Sequence, residues 1–416
     1  MSKKKKLVVV GGGAAGFFCA VNAARLSKDL DVQILEKTSK ILSKVKISGG
    51  GRCNVTHAAT EVSELFPAYP RGKNFVRKTL YQFPPAKTIE WFSERGVELK
   101  VEADGRMFPV SDQSQTIVNC LLSEAEKYNV QIRIRQEVIS IEPAGEYFKI
   151  CIQSDQKSEE VLLADYICIA AGGHPKINGF SFLGKTGHTV VAPVPSLFTF
   201  NIADKDLHQL MGIAVPEALV KIPALKLQEL GPVLITHWGL SGPAVLKLSA
   251  RAARDLHERN HQVDVSVNWI APNHESSALE SLKNYRQEAR HEVSGKNPFG
   301  LTTRLWLYLI LKAGMNPAVK WTDVNNALLT RLSKILTADL YHVNGKTTYK
   351  EEFVTAGGVS LNEIDPLTME SLICKSLYFA GEVVDVDGIT GGYNFQHAWS
   401  SGWIAANSIT SIHKNL

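Results

Sequence analysis

The chain opens on a change of hydrophobic period. Leu7 to Val10 is a short β-branched run, GGGAAG follows at once, and apolar residues continue from Phe17 to Leu26 with Arg25 near the end. That pattern predicts strand, glycine turn and helix. Asp31 to Leu35 returns to a strand pattern and stops at Glu36. Farther along, residues 161–173, VLLADYICIAAGG, read as an apolar strand ending in a glycine pair. Near the other end, residues 376–406 begin as a strand, reach Gly381 and Glu382, cross a loop holding Asp385 and Asp387, and open a helix at Gly391 or Gly392. The middle reads differently. Pro193 and Pro195 punctuate its start, VDVSVNW (263–269) alternates as a strand, and ALESLKNYRQEAR, RLWLYLILKAG and DVNNALLTRLSKIL carry helical spacing.

These segments predict an α/β chain with one discontinuous domain, residues 1–193 and 345–416. It encloses an inserted β-rich domain, 194–271 with 336–344, and a small helical domain, 272–335. A length of 416 residues suits two or three cores. With 44% hydrophobic and 21% charged residues, the composition is that of a globular protein. The six cysteines form no CxxC pair, which argues against a disulfide framework, a zinc site or a dithiol centre and fits a reducing cytoplasm. A net charge of +5, from 46 basic and 41 acidic residues, permits an anionic partner and identifies none. Lys3 to Lys6 ahead of the uncharged stretch Leu7 to Ala24 imitates a signal peptide, but the glycine turn and the following helix point to a folded element. No run is apolar enough for a membrane helix, and no repeat appears.

The turn carries chemistry. Gly11, Gly13 and Gly16 give GxGxxG, in which the first glycine makes the turn, the second admits a pyrophosphate to the backbone and the third lets helix pack on strand. An acid at Glu36, closing the second strand, suits hydrogen bonds to a ribose and would repel a 2′-phosphate. A lone NAD needs one βαβ unit, whereas this chain brings further strand, acidic-turn and helix signals from its distant C-terminal part. FAD is longer, and its ribitol and ring need that second set of contacts. Helix amides near Gly391 and Gly392 would favour negative charge on the reduced ring. GLSGPA (239–244) lacks the spacing for a second fingerprint.

Five blocks, KISGGGRCNVT (46–56), DGRMFPVSDQSQTIV (104–118), THWGLSGPAVLKLS (236–249), FVTAGGVSLNEIDPLTMES (353–371) and LYFAGEVVDVDGITGGYNFQHAWSSG (377–402), together resemble the BaiN-like flavoproteins. The resemblance covers nearly the whole chain. It implies an NAD(P)/FAD-dependent oxidoreductase with an FAD-binding Rossmann-like domain of glutathione-reductase type and no separate NAD(P)H domain, in a family that includes a ribosomal RNA dihydrouridine synthase. The expected cofactor contacts are Gly11, Gly13, Ala14, Ala15, Gly16, Glu36, Lys37, Lys46, Ser48, Gly50, Gly51, Arg52, Cys53, Asn54, Val138, Ala171, Gly172, Gly381, Glu382, Asp385, Gly391, Gly392, Tyr393, Asn394 and Phe395. Departures lie beside them. Ala171 stands where an ATGG stretch would supply threonine, residues 174–191 are shorter than the expected loop, His57 replaces an asparagine, and His397 sits where an apolar residue is expected.

The stretch ISGGGRCN (47–54) would pass close to the flavin. Arg52 is read either as a cofactor donor or as half of an ion pair, and Asn54 as a donor or as a turn residue bonding its own backbone. Cys53 is either buried packing or a proton donor; His237, Tyr393 and His397 compete for that role. The expected reaction is reduction of an activated C=C bond, with NAD(P)H refilling the flavin transiently. The family resemblance carries the commitment to uridine in ribosomal RNA or its precursor. A steroid or bile-acid-like small molecule, and a flavin protein without turnover, are the alternatives.

Overall fold

The structure is a computed structural model and describes residues 4–347 and 354–414. Lys3, part of the basic N-terminal cluster, lies outside the described residues. The chain divides into two compact units, Met1–Ser196 with Lys350–Leu416, and Leu197–Tyr349.

The first unit is built on five parallel strands in the order Leu377–Phe379, Tyr166–Ile169, Lys5–Val10, Leu30–Glu36 and Gln131–Ile134. Val8 and Val9 are wholly buried, as a central strand covered on both faces requires. Helix Ala14–Leu26 follows the first strand and packs against the last helix, Tyr393–Lys414. Gly402 permits that approach: a Cβ there would stand 2.7 Å from the Ala15 carbonyl oxygen. The single strand expected at 161–173 is two strands, Glu159–Ala164 and Tyr166–Ile169, in different sheets. Asp165 marks the break, where its carboxylate accepts the Lys6 N–H at 2.7 Å and pairs with Lys5 at 3.0 Å.

The proline-punctuated segment does not leave this unit. Val190–Ser196 pairs antiparallel with Val354–Val359 across a register irregularity between Val191 and Val194, a two-stranded ribbon that tolerates its prolines. The unit therefore ends at Ser196 rather than at 193.

The second unit is a closed antiparallel barrel in the order Thr199–Ile202, Gly239–Ser241, Leu227–Thr236, Ala214–Ile222, Gln262–Asn268 and Asp339–Thr347. The last strand runs through Thr347, past the expected boundary at 345. Helices Glu275–Glu288, Thr303–Lys312 and Asn326–Ala338 form where helical spacing predicted them. They do not make a separate domain. Leu282, Trp306 and Leu332 share one buried cluster with Val220, Val265 and Val343 of the barrel, because each amphipathic helix buries its apolar stripe against strands.

Candidate functional site

In an open parallel sheet, ligands gather at the carboxyl ends of the strands. Here those ends carry Gly11 to Gly13, Glu36 with Lys37, Ala170 to Gly173, and Ala380 to Glu382, so loops from both ends of the sequence meet one sheet edge. The edge is stitched by backbone: Gly11 N–H donates to Leu35 O at 2.8 Å, Ala170 N–H to Val10 O at 2.8 Å, and Ala380 N–H to Ile169 O at 2.9 Å.

The glycines divide by what a side chain would meet. At Gly11, with φ +111°, a Cβ would lie 2.3 Å from the Ala170 carbonyl oxygen, and at Gly16 it would lie 2.0 Å from the Gly11 oxygen. These two are required by the fold itself. A Cβ at Gly13 would meet nothing within 4 Å, and the same holds at Gly50, Gly51 and Gly172. Open space over backbone amides is what a diphosphate or a planar ring can fill. Gly13 precedes helix Ala14–Leu26 with no side-chain cap, which leaves the amides of Ala14, Ala15 and Gly16 facing that space as donors. Glu36 is held at the mouth: one oxygen accepts Gly12 N–H at 2.9 Å, the other accepts Thr38 N–H and Oγ1–H, each at 2.8 Å. Lys37 is exposed beside it.

The stretch that includes ISGGGRCN folds as a broken helix, Ser43–Gly51, with non-helical backbone at Ser48, Gly49 and Gly50. Lys46 is exposed, while Ser48 is half-buried and donates to Val45 O. The Arg52 guanidinium is already engaged, 2.5 Å from Glu102, 3.5 Å from Asp112 and 4.0 Å above the Phe108 ring. Of the two readings of Arg52, the ion pair is formed here. Asn54 is a clasp: its amide donates to Thr56 O at 3.0 Å and accepts the Gly392 N–H at 2.9 Å. Cys53 is wholly buried at φ +63°, and burial pushes its thiol up to about 12 against a hydrogen bond with Ser48. A thiol so enclosed is placed for packing, the first of its two readings, and its raised pKa makes it a poor acid.

From the C-terminal part, Glu382 receives the Lys44 ammonium at 2.6 Å on one oxygen and Thr355 N–H at 2.9 Å on the other. Asp385 is half-buried and donates its N–H to Val359 O, and Gly381 donates to Ser401 Oγ. Tyr393 opens the last helix with its ring stacked on His57, centroids 4.8 Å apart, and its carbonyl accepts the Tyr69 hydroxyl at 2.7 Å. Burial, reinforced by Asp104, raises its phenol to about 12. Asn394 exchanges two hydrogen bonds with the Gly388 backbone, and Phe395 stacks on Trp399. These two side chains shape the loop from within. Val138 is a buried strand residue paired with Ile152, and Ala171 is half-buried. His397 is buried with both ring nitrogens lacking a well-formed hydrogen bond. His237 belongs to the second unit, exposed in a strand turn against Trp238.

Sequence reasoning missed Lys44, Thr355 and the pairing of Arg71 with Asp387. No local signal marks them, since each partner is supplied by a distant segment.

The HI0933-like protein Rossmann domain family matches residues 5–408. The chain is 32% identical over 405 residues to the "Ribosomal RNA dihydrouridine synthase" of Escherichia coli K12, covering 95% of each. It is 28% identical over 414 residues to the "3-dehydro-bile acid delta(4,6)-reductase" of Clostridium scindens, covering 94% of this chain and 96% of that one. Among solved structures, 3-ketosteroid delta1-dehydrogenase from Sterolibacterium denitrificans shares the fold at a TM-score of 0.53 and 12% identity, over 99% of this chain and 100% of that one. The α/β, Rossmann-type fold class expected from the sequence is the one found, and the chain belongs to the HI0933-like protein Rossmann domain family.

Proposed function

We propose that the protein is an FAD-dependent reductase of a C=C bond conjugated to a carbonyl, acting on uridine in ribosomal RNA with NAD(P)H as electron source. One observation carries the cofactor reading: Gly11 to Gly13, Ala170 to Gly173 and Ala380 to Glu382, brought from both ends of the chain, meet at the carboxyl ends of one parallel sheet, where Gly13 and Gly172 leave open space. A mononucleotide would leave part of that set unused, so the residues fit a longer dinucleotide. Glu36 would bind the ribose, the amides of Ala14 to Gly16 the pyrophosphate, and the amides opening helix Tyr393–Lys414 would favour negative charge beside them. When bound, the flavin would supply hydride to the acceptor carbon. With Cys53 enclosed, the Tyr393 phenol, stacked on His57 at the start of that helix, would be the proton donor.

The balance is one NAD(P)H and one proton consumed per C=C bond reduced. The Escherichia coli relative supports uridine as acceptor. The Clostridium scindens relative, named for a bile-acid substrate, supports an enone of that class as the second reading. Both acceptors place a carbonyl where charge develops, so the same loops would serve either. Mass spectrometry of ribosomal RNA from cells with and without the gene tests the first reading: one or more dihydrouridines should disappear without it. Unchanged rRNA, together with anaerobic reoxidation of the reduced protein by a steroid enone, would replace uridine with the second substrate.

A further inference from the structure

Helix Lys73–Gln82 has a sequence that serves stability poorly. Its buried face is complete: Phe75, Val76, Thr79 and Leu80 pack inward. Its outer face shows Lys73, Asn74, Arg77, Lys78 and Tyr81, and the helix contains no acidic residue. Lys73 occupies the first turn, where the helix dipole disfavours a cation, and Lys73 and Arg77 repel at i,i+4 spacing. Acids would stabilise this helix better. Among the described residues, none of Lys73, Arg77 and Lys78 has an ion-pair partner. Tyr81 is 63% exposed, in line with Asn74, Arg77 and Lys78 on the same stripe. An amphipathic helix needs a polar outer face, but not one sign of charge and a bare aromatic ring.

The helix is also anchored to the candidate site. Its N-cap, Gly72 at φ +74°, lies so close to the Asp385–Asp387 turn that a Cβ would meet the Val386 side chain at 2.5 Å and the Asp385 carbonyl at 3.2 Å. Arg71, the residue before the cap, bonds Asp387. That turn leads directly into Gly391 and Gly392. Ten helical residues rise about 15 Å, so the stripe that begins beside that turn extends over that length.

We propose that the outer face of helix Lys73–Gln82 is a docking surface for single-stranded RNA, with Arg77 and Lys78 on phosphates and Tyr81 stacked under a base. The inference rests on the reading of ribosomal RNA as substrate and adds where the strand lies. Arg77 and Lys78, cations without an ion-pair partner among the described residues, fit phosphates, and the exposed Tyr81 ring beside them fits an unpaired base. Local rules broken without a gain in stability are expected at functional surfaces.

The test uses the full-length flavin-loaded protein with labelled oligouridine and with deproteinised ribosomal RNA from cells lacking the gene. Arg77→Gln with Lys78→Gln should weaken binding about tenfold near physiological salt and flatten the log-log salt slope by about 1.4, two phosphates at about 0.7 each. Tyr81→Ala should weaken binding by a similar factor of about ten while leaving that slope unchanged, because stacking releases no counterions. Flavin content and its reduction by NAD(P)H should match wild type in all variants, and Lys149→Gln, on a separate sheet, should alter nothing. If wild type binds RNA and the Arg77, Lys78 and Tyr81 variants bind equally well, the surface is overturned and the substrate reading stands. If wild type neither binds RNA nor reduces its uridines, both fall. Equal binding to phosphatidylglycerol vesicles, lost in the same variants, would assign the stripe to a membrane surface and overturn the RNA proposal.

Discussion

Arg71 and Asp387, 316 residues apart, form a two-bonded ion pair whose carboxylate is wholly buried. Ser196 Oγ–H adds a third bond to that carboxylate at 2.7 Å. Burial pushes the Asp387 carboxyl up, and Arg71 opposes it. Removing one partner strands the other, so Arg71→Ala should cost about 3 to 5 kcal/mol in denaturant titration. Arg71→Met with Asp387→Leu should cost less than the sum of the single changes. A loss of under about 1 kcal/mol in Arg71→Ala would mean that water already solvates the carboxylate.

That pair also marks the limit of sequence reading. The run from Leu7 through Gly16 to Glu36 was legible because strand, turn and helix are local and their glycines have steric reasons. The same was true of helix spacing in the inserted segment. Barrel closure was not, since Thr199–Ile202 pairs with Asp339–Thr347 across most of the insertion. Nor was the fate of individual side chains at 46–54. Arg52 meets Glu102, and Asn54 meets Gly392, only after distant loops are brought together. Residue types announced a cofactor loop, while burial and partners decided which of them face it.

His397 should make the protein sensitive to mild acid. Burial lowers its imidazole to about 4, with the Gly381 backbone opposing, against 6.5 when unfolded. The unfolded chain therefore binds the proton first as pH falls. Stability is complete above about 6.5 and declines down to about 4, by at most about 3 kcal/mol from this group. His397→Leu should remove that share of the slope between those values and, by deleting a buried and poorly bonded ring, leave neutral-pH stability equal or higher. Denaturation midpoints measured across the range decide it; an unchanged slope would mean that the folded imidazole already titrates normally.

Cys53 and Tyr393 separate in kinetics. Cys53→Ala should lower stability by about 1 to 2 kcal/mol through lost packing and leave substrate-dependent reoxidation per bound flavin within about twofold of wild type. Tyr393→Phe keeps the ring stacked on His57 but removes the phenol, and should slow reoxidation by about 10² to 10⁴ while reduction by NAD(P)H proceeds normally. Stopped-flow measurement of both half-reactions reads this directly. A slow Cys53→Ala with a normal Tyr393→Phe would reverse the assignment.

The glycines of the first turn separate folding from cofactor binding. A methyl at Gly16 would stand 2.0 Å from the Gly11 carbonyl oxygen, backbone that cannot swing aside, so Gly16→Ala should reduce folded yield whether or not flavin is supplied. Gly13 has φ −93° and ψ −169°, which any residue adopts, and no atom within 4 Å of a Cβ. Gly13→Ala should therefore melt, without cofactor, within about 0.5 kcal/mol of wild type. If a pyrophosphate sits over that amide, the added methyl occupies its approach and FAD affinity should fall at least about tenfold, some 1.4 kcal/mol. Calorimetric titration of the cofactor-free proteins with FAD measures this apart from turnover. Wild-type affinity in a normally folded Gly13→Ala protein would move the dinucleotide away from the first turn.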